Sequence, residues 1–170
     1  MKDKITNYYE NVDDAAIKQA VENFKNVLNE VNYENGDGLP LNTQAKYDST
    51  FNNGTNYLKN TDILGMVQLC NSCLGVIGKI TTYKTYYSGT YTSTYNDCST
   101  KYNTYTNAPK TITKTDANGN IVYTSYGQPE TITNPKLAAY KTEYMNALTA
   151  LGKCEEYLND LKNSIEAVSI

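Results

Sequence analysis

The sequence predicts a mainly α fold, an elongated antiparallel three-helix bundle or coiled coil tipped by a β-hairpin, and three observations predict it. First, bulky residues recur every three or four positions from Thr61 to Asn107: Ile63, Met66, Val67, Cys70, Leu74, Ile77, Ile80, Tyr83, Tyr87, Tyr91, Tyr95, Cys98, Tyr102 and Tyr105 form one stripe that no Pro interrupts. Second, the same cadence fills residues 134–168. Third, two alternating Thr-rich segments flank a Gly-containing turn at Asp116–Asn120. The competing reading is an α+β fold with a Thr- and Tyr-rich β-region at 80–130.

Taken in order, residues 2–33 read as an amphipathic helix, because Ile5, Tyr8, Val12, Ala16, Ala20, Phe24, Leu28 and Val31 fall near helical spacing. Asn32–Pro40, with two Gly and a Pro, stops it. Residues 34–60 are a connector with one or two helical turns. Asp62 is placed to cap the long helix over 61–107. Residues 63–78 of that helix carry no charge and contain Gly65, Gly75 and Gly78, small enough for close helix approach. Burial against the first helix is the expectation for this run, with membrane contact through Ile63 to Ile80 as the alternative, since Gln68, Asn71, Ser72 and Lys79 interrupt a span that needs about 20 apolar residues.

Thr81–Asn107 holds seven Tyr and nine Thr, a composition that favours strands, and a hairpin turning at Ser88-Gly89 competes with the helix. The helix is preferred because the cadence continues through Tyr95, Cys98, Tyr102 and Tyr105, where spacings of three break a period of two. The β-hairpin tip occupies 108–133, with strands at 110–115 and 121–125 and Gly119 supplying a positive φ. In the helix over 134–168, Pro135 suits the first turn, and Leu137, Tyr140, Tyr144, Leu148, Leu151, Cys154, Leu158, Leu161, Ile165 and Val168 form a narrow seam. The whole is read as one elongated domain over 1–170. Folding about the hairpin turn sets Cys154 level with Tyr87, apart from Cys98 and Cys70, so no disulfide is expected.

Several function classes are excluded at this stage. A net charge of −3 with dispersed Lys and Arg argues against nucleic acid. The chain has no His, and Cys70-x-x-Cys73 stands far from Cys98 and Cys154, so the thiols read as small core residues and no metal or cofactor is expected. Asp116, Asn118 and Asn120 superficially fit a calcium loop, but Gly119 and Ile121 are wrong for the EF-hand order and no Glu stands at its twelfth position. No nucleophile stands with a base, so no catalytic residue is assigned and the chain reads as non-enzymatic. The N-terminal residues lack an apolar signal segment, and the expected location is cytoplasmic, or exported without a cleaved signal peptide. Tyr is favoured at interfaces, and seventeen Tyr against two Phe and no Trp make Tyr83, Tyr87, Tyr91, Tyr95, Tyr102 and Tyr105 the expected interface to a protein partner or a second copy.

Tyr87-Ser88-Gly89 in the middle of a helical stretch resembles the aromatic-x-Gly of the WXG-motif and LXG-associated small proteins of bacterial type VII secretion. There the motif sits at a bend between two helices. Tyr stands here where the family has Trp, and Tyr157 precedes Asp160 by one residue fewer than the Tyr-x-x-x-Asp/Glu export signal. The resemblance implies a secreted or effector-escorting partner protein that dimerises through its helices. A structural subunit of a phage or surface assembly and a membrane-active helical toxin component are the alternative expectations.

Overall fold

The computed structural model describes residues 5–30 and 60–168, and it is mainly helical with a small two-stranded antiparallel sheet. The described elements are α1 (Asp14–Glu30), α2 (Asn60–Tyr86), a π-helical turn (Tyr87–Tyr91), α3 (Thr92–Asn107), β1 (Thr111–Thr113), β2 (Thr131–Thr133) and α4 (Leu137–Glu166). The connector expected at 34–60 and the stop signal at Asn32–Pro40 lie outside the described residues, apart from Asn60. The chain divides into two compact units, Asn7–Thr85 with Asn159–Ile170, and Met1–Thr6 with Tyr86–Leu158.

In the unit of Asn7–Thr85 and Asn159–Ile170, the first helix begins at Asp14 rather than Lys2. The reason is a cap: the Asp13 carboxylate accepts the Ala16 backbone N–H at 3.0 Å, and the preceding residues form a turn closed by Glu10 N–H on the Asn7 carbonyl. Asp14 meets Lys84 and Thr81 while Lys25 lies near Cys70, so α1 runs antiparallel to α2. The last turns of α4 join them where Lys79 donates to Ser164 Oγ at 2.7 Å. Leu28, Cys70, Ile77, Tyr83 and Ile165 are buried there. The helix expected to open at Asp62 already includes Asn60 and Thr61. A Cβ added to Gly65, Gly75 or Gly78 would touch nothing within 4 Å among the described residues, so no close approach accounts for these glycines.

In the unit of Met1–Thr6 and Tyr86–Leu158, the residues around Ser88-Gly89 stay helical, and the hairpin alternative is not adopted. Tyr86 and Thr92 on either side both have right-handed helical angles. Threonine chemistry explains how a strand-favouring composition remains in a helix. Thr94, Thr100, Thr104 and Thr106 each turn the hydroxyl back onto the carbonyl four residues earlier, and Thr92 reaches five residues back to the Tyr87 carbonyl at 2.6 Å across the π turn. Each hydroxyl is thus satisfied without leaving the helix surface. Tyr91, Cys98, Ala147, Leu151, Cys154 and Leu158 form the core of this unit.

The β-tip differs from the expected simple hairpin. The turn at Asp116–Asn120 is present, with Gly119 at φ 84°, Asp116 N–H on the Asn120 carbonyl, and a bridge between Thr115 and Ile121. The main partner of β1 is β2, however, with Ile112 opposite Ile132, and not 121–125. A second small loop, closed by the Tyr123–Pro129 bridge with Gly127 at φ 73°, lies between them. The three arms meet in a ring of backbone hydrogen bonds: Lys114 N–H to Glu130, Glu130 N–H to Val122, and Val122 N–H to Lys114. A Lys114–Glu130 ion pair of 2.9 Å spans the same junction.

Asn134 ties this β-module to the helices. It is buried, its backbone N–H donates to Lys110, its side-chain nitrogen donates to the Pro109 carbonyl, and its side-chain oxygen accepts the Lys136 N–H at 3.0 Å. The last helix consequently starts at Leu137 and not at 134, with Pro135 in the preceding turn. The stem also sets the helix register. Thr111 faces Thr133, and Tyr102 then meets Tyr144, Thr94 meets Cys154 and Tyr86 meets Tyr157. Cys154 was expected level with Tyr87, and its thiol meets Tyr86, one residue from that position, as well as Thr94 about two helical turns further along.

Candidate interaction surface

The six tyrosines expected at an interface do not share one environment. Tyr83 and Tyr91 are both 1% exposed and belong to the cores of their respective units. Tyr83 packs edge-on against Tyr9 at 5.1 Å between centroids. Tyr87, Tyr91 and Tyr95 form a tilted row at 5.1 and 6.3 Å, and the Tyr87 hydroxyl donates to the Ile5 carbonyl at 3.5 Å. Tyr102 and Tyr105 both meet Tyr144, at 5.3 and 6.3 Å between centroids. Tyr87, Tyr95, Tyr102 and Tyr105 keep part of their surface in solvent. Two partners escape a reading of the stripe: Tyr144, which was placed on the seam of α4, and Tyr86, which stands three residues from Tyr83 but off the main cadence.

Tyr86 is a strongly perturbed phenol. A hydrogen bond with the Cys154 thiol, with burial adding to it, pushes its pKa up to about 12, and its ring lies 4.5 Å from that of Tyr157. The Cys154 thiol also contacts the Thr94 hydroxyl at 3.8 Å. All four cysteines are thiols, and burial raises the pKa of Cys70 and of Cys98, which makes them poor nucleophiles at neutral pH. Among the described residues, no group of three or more His, Cys, Asp or Glu is placed to hold a metal ion.

The charged contacts near the surface are structural. Lys84 donates to Asp14 at 2.8 Å and to the Val12 carbonyl at 2.6 Å, clasping the start of α1. Those hydrogen bonds from Lys84 first, and then from Thr81, hold the Asp14 carboxyl down at about 2. The Lys162 ammonium lies 3.9 Å from the Tyr8 ring centre, a cation–π contact.

Apolar side chains left in water outline the candidate surfaces. On the unit holding α1 and α2, Ile17, Leu64 and Leu69 are each close to half exposed. Leu64 and Leu69 lie off the expected stripe of the long helix, of which Cys70 and Ile77 are buried. On the β-module, Ile121, Tyr123, Tyr126 and Ile132 are exposed, Tyr126 at 90%. Tyr87-Ser88-Gly89, which carries the resemblance to type VII secretion proteins, lies in the π turn between α2 and α3. Compared with known proteins, the chain matches no family model, no curated protein and no solved structure.

Proposed function

We propose that this chain is a non-enzymatic helical interaction protein whose α1–α2 surface is covered by a helical protein partner. The observation that carries the reading is the state of α2: it is uncharged from Ile63 to Gly78, yet Leu64 and Leu69 remain 49% and 47% exposed. A helix of that composition is ordinarily covered, and an exposed apolar patch on a folded chain marks an interaction surface. The half-buried Tyr87, Tyr95, Tyr102 and Tyr105 offer further contact area of the kind interfaces use. An elongated antiparallel three-helix arrangement belongs to this proposal, supported by the 30-residue length of α4, about 45 Å of helix. A secreted or effector-escorting role within a bacterial secretion system is its more specific form, resting on Tyr87-Ser88-Gly89 alone.

Light scattering on the purified chain, alone and coexpressed with the products of adjacent genes, tests the proposal. A defined dimer or a one-to-one complex, lost on changing Leu64 and Leu69 to Lys, supports it. A monomer that captures none of those products counts against it, and open-ended polymers would favour the structural-subunit reading.

One observation favours a second reading. The helical stretch Leu64–Asn107 is long and apolar enough to cross a membrane by length and composition, and only 11% of its most apolar window is buried. Dye release from anionic liposomes tests membrane activity, and intact vesicles with a fully helical protein would eliminate it.

A further inference from the structure

A half-open cavity of about 270 Å³ lies where the last turn of α3 approaches the first turn of α4, lined by Tyr105, Thr106, Lys110, Leu137, Ala138 and Lys141. Its chemistry is asymmetric. Two of the six lining residues are cations and none is an acid, although the chain as a whole carries a net charge of −3. The neighbouring lysine on the β-module, Lys114, is paired with Glu130, whereas neither Lys110 nor Lys141 is paired with a carboxylate among the described residues. The remaining wall is apolar or aromatic. The Tyr105 ring is fixed parallel to Tyr144, with 13° between their planes, and Leu137 and Ala138 are held by the helix start that Asn134 caps. The Thr106 hydroxyl gives its proton to the Tyr102 carbonyl and presents its oxygen as an acceptor only.

We propose that this cavity binds a small organic anion, with a phosphate or carboxylate head held by Lys110 and Lys141 and an apolar stem lying against Leu137 and Tyr105. Two lysines lining one cavity raise the local concentration of anions against the negative charge of the rest of the chain, and an apolar wall favours a ligand that is more than a bare ion. The size suits a ligand of one ring and one charged group, at the small end of the range of ligand pockets. This site is independent of the α1–α2 surface and does not rest on the interaction reading.

The test is a titration of the full chain with phenyl phosphate followed by amide NMR, with inorganic phosphate and phenol as separate arms. Saturable shifts confined to Thr106, Lys110, Leu137, Ala138 and Lys141 are expected with phenyl phosphate. Inorganic phosphate should bind at least about tenfold more weakly and phenol should not saturate, a tenfold step being about 1.4 kcal/mol. The double variant K110Q/K141Q changes two exposed side chains and should keep the helical spectrum while losing saturation. Equal binding by the double variant, shifts spread over surface lysines at large, or equal affinity for inorganic phosphate would each overturn the proposal. The carboxylate arm, benzoate, is expected to follow phenyl phosphate with lower affinity because it brings less charge.

Discussion

Asn134 acts at three points at once, which makes it the single side chain whose loss the β-module should feel most. Asn134→Ala removes the helix cap, usually about 1 kcal/mol, and leaves the Pro109 carbonyl without its donor, about 1 kcal/mol more. Urea denaturation should therefore show about 2 kcal/mol lost, and a change under about 0.5 would mean the contacts carry little. Asp14 makes a prediction in pH. Its folded pKa is about 2 against 3.8 for the free group, so the clasp to Lys84 contributes fully above pH 3.8 and is lost as pH falls through 2. The stability gap between the wild type and Asp14→Asn should narrow over that window; a gap that is constant from pH 5 to pH 2 would contradict it. Residue chemistry of this kind was only partly legible in the sequence. Apolar spacing back to Ile5 extended the first helix past the cap at Asp13, and Asn134 reads as an ordinary residue before Pro until its partners at 109 and 110 are known.

At the level of elements, helix type was readable and pairing was not. The cadence through Tyr95, Cys98, Tyr102 and Tyr105 correctly selected helix over hairpin, since a side-chain period is a local property. The partner of β1 is a distant property. Its one signal was the repeated Thr-Ile-Thr, at 111–113 and again at 131–133, which pairs antiparallel with Ile on Ile. Paired Thr113 and Thr131 offer a direct check of this register. Changing both to Cys should give a disulfide on mild oxidation, identified by mass spectrometry of the linked peptides, because neighbouring antiparallel strands bring such pairs to about 4.5–5.5 Å at Cβ. A bridge from position 113 to one of the native thiols instead would show the stem to be wrongly registered. The π turn also escaped the sequence, because Tyr87 and Tyr91 keep a helical spacing of four on either side of it.

Across the whole molecule, the described helices alone make up more than half of the 170 residues. Circular dichroism should report helix above half the chain, against about a third for an average soluble domain, and a value near a third would remove the helical reading of 81–107. The sequence set the proportion of helix well, because that sums many local preferences. It set the covered stripe of α2 too, for Cys70 and Ile77 are buried while the exposed Leu64 and Leu69 lie off that stripe. Whether Leu64 or Leu69 is covered depends on what packs beside α2, and apolar periodicity marks a face without naming what covers it.

The turn that closes the first β-loop bears on how this protein ages. Asn118-Gly119 is a sequence prone to deamidation, in which the Gly119 nitrogen attacks the Asn118 side-chain carbonyl and expels ammonia to form a succinimide. Here that nitrogen is bound to the Asp116 carbonyl at 3.0 Å, and the Asn118 nitrogen to the Asp116 carboxylate at 2.9 Å. The nucleophile is held away from its target while the turn is closed, so the reaction proceeds only from locally opened molecules. The half-life of Asn118 in stored protein is thus a clock for opening of the loop, and Asp116→Ala, which removes the carboxylate contacts, should make it run several-fold faster.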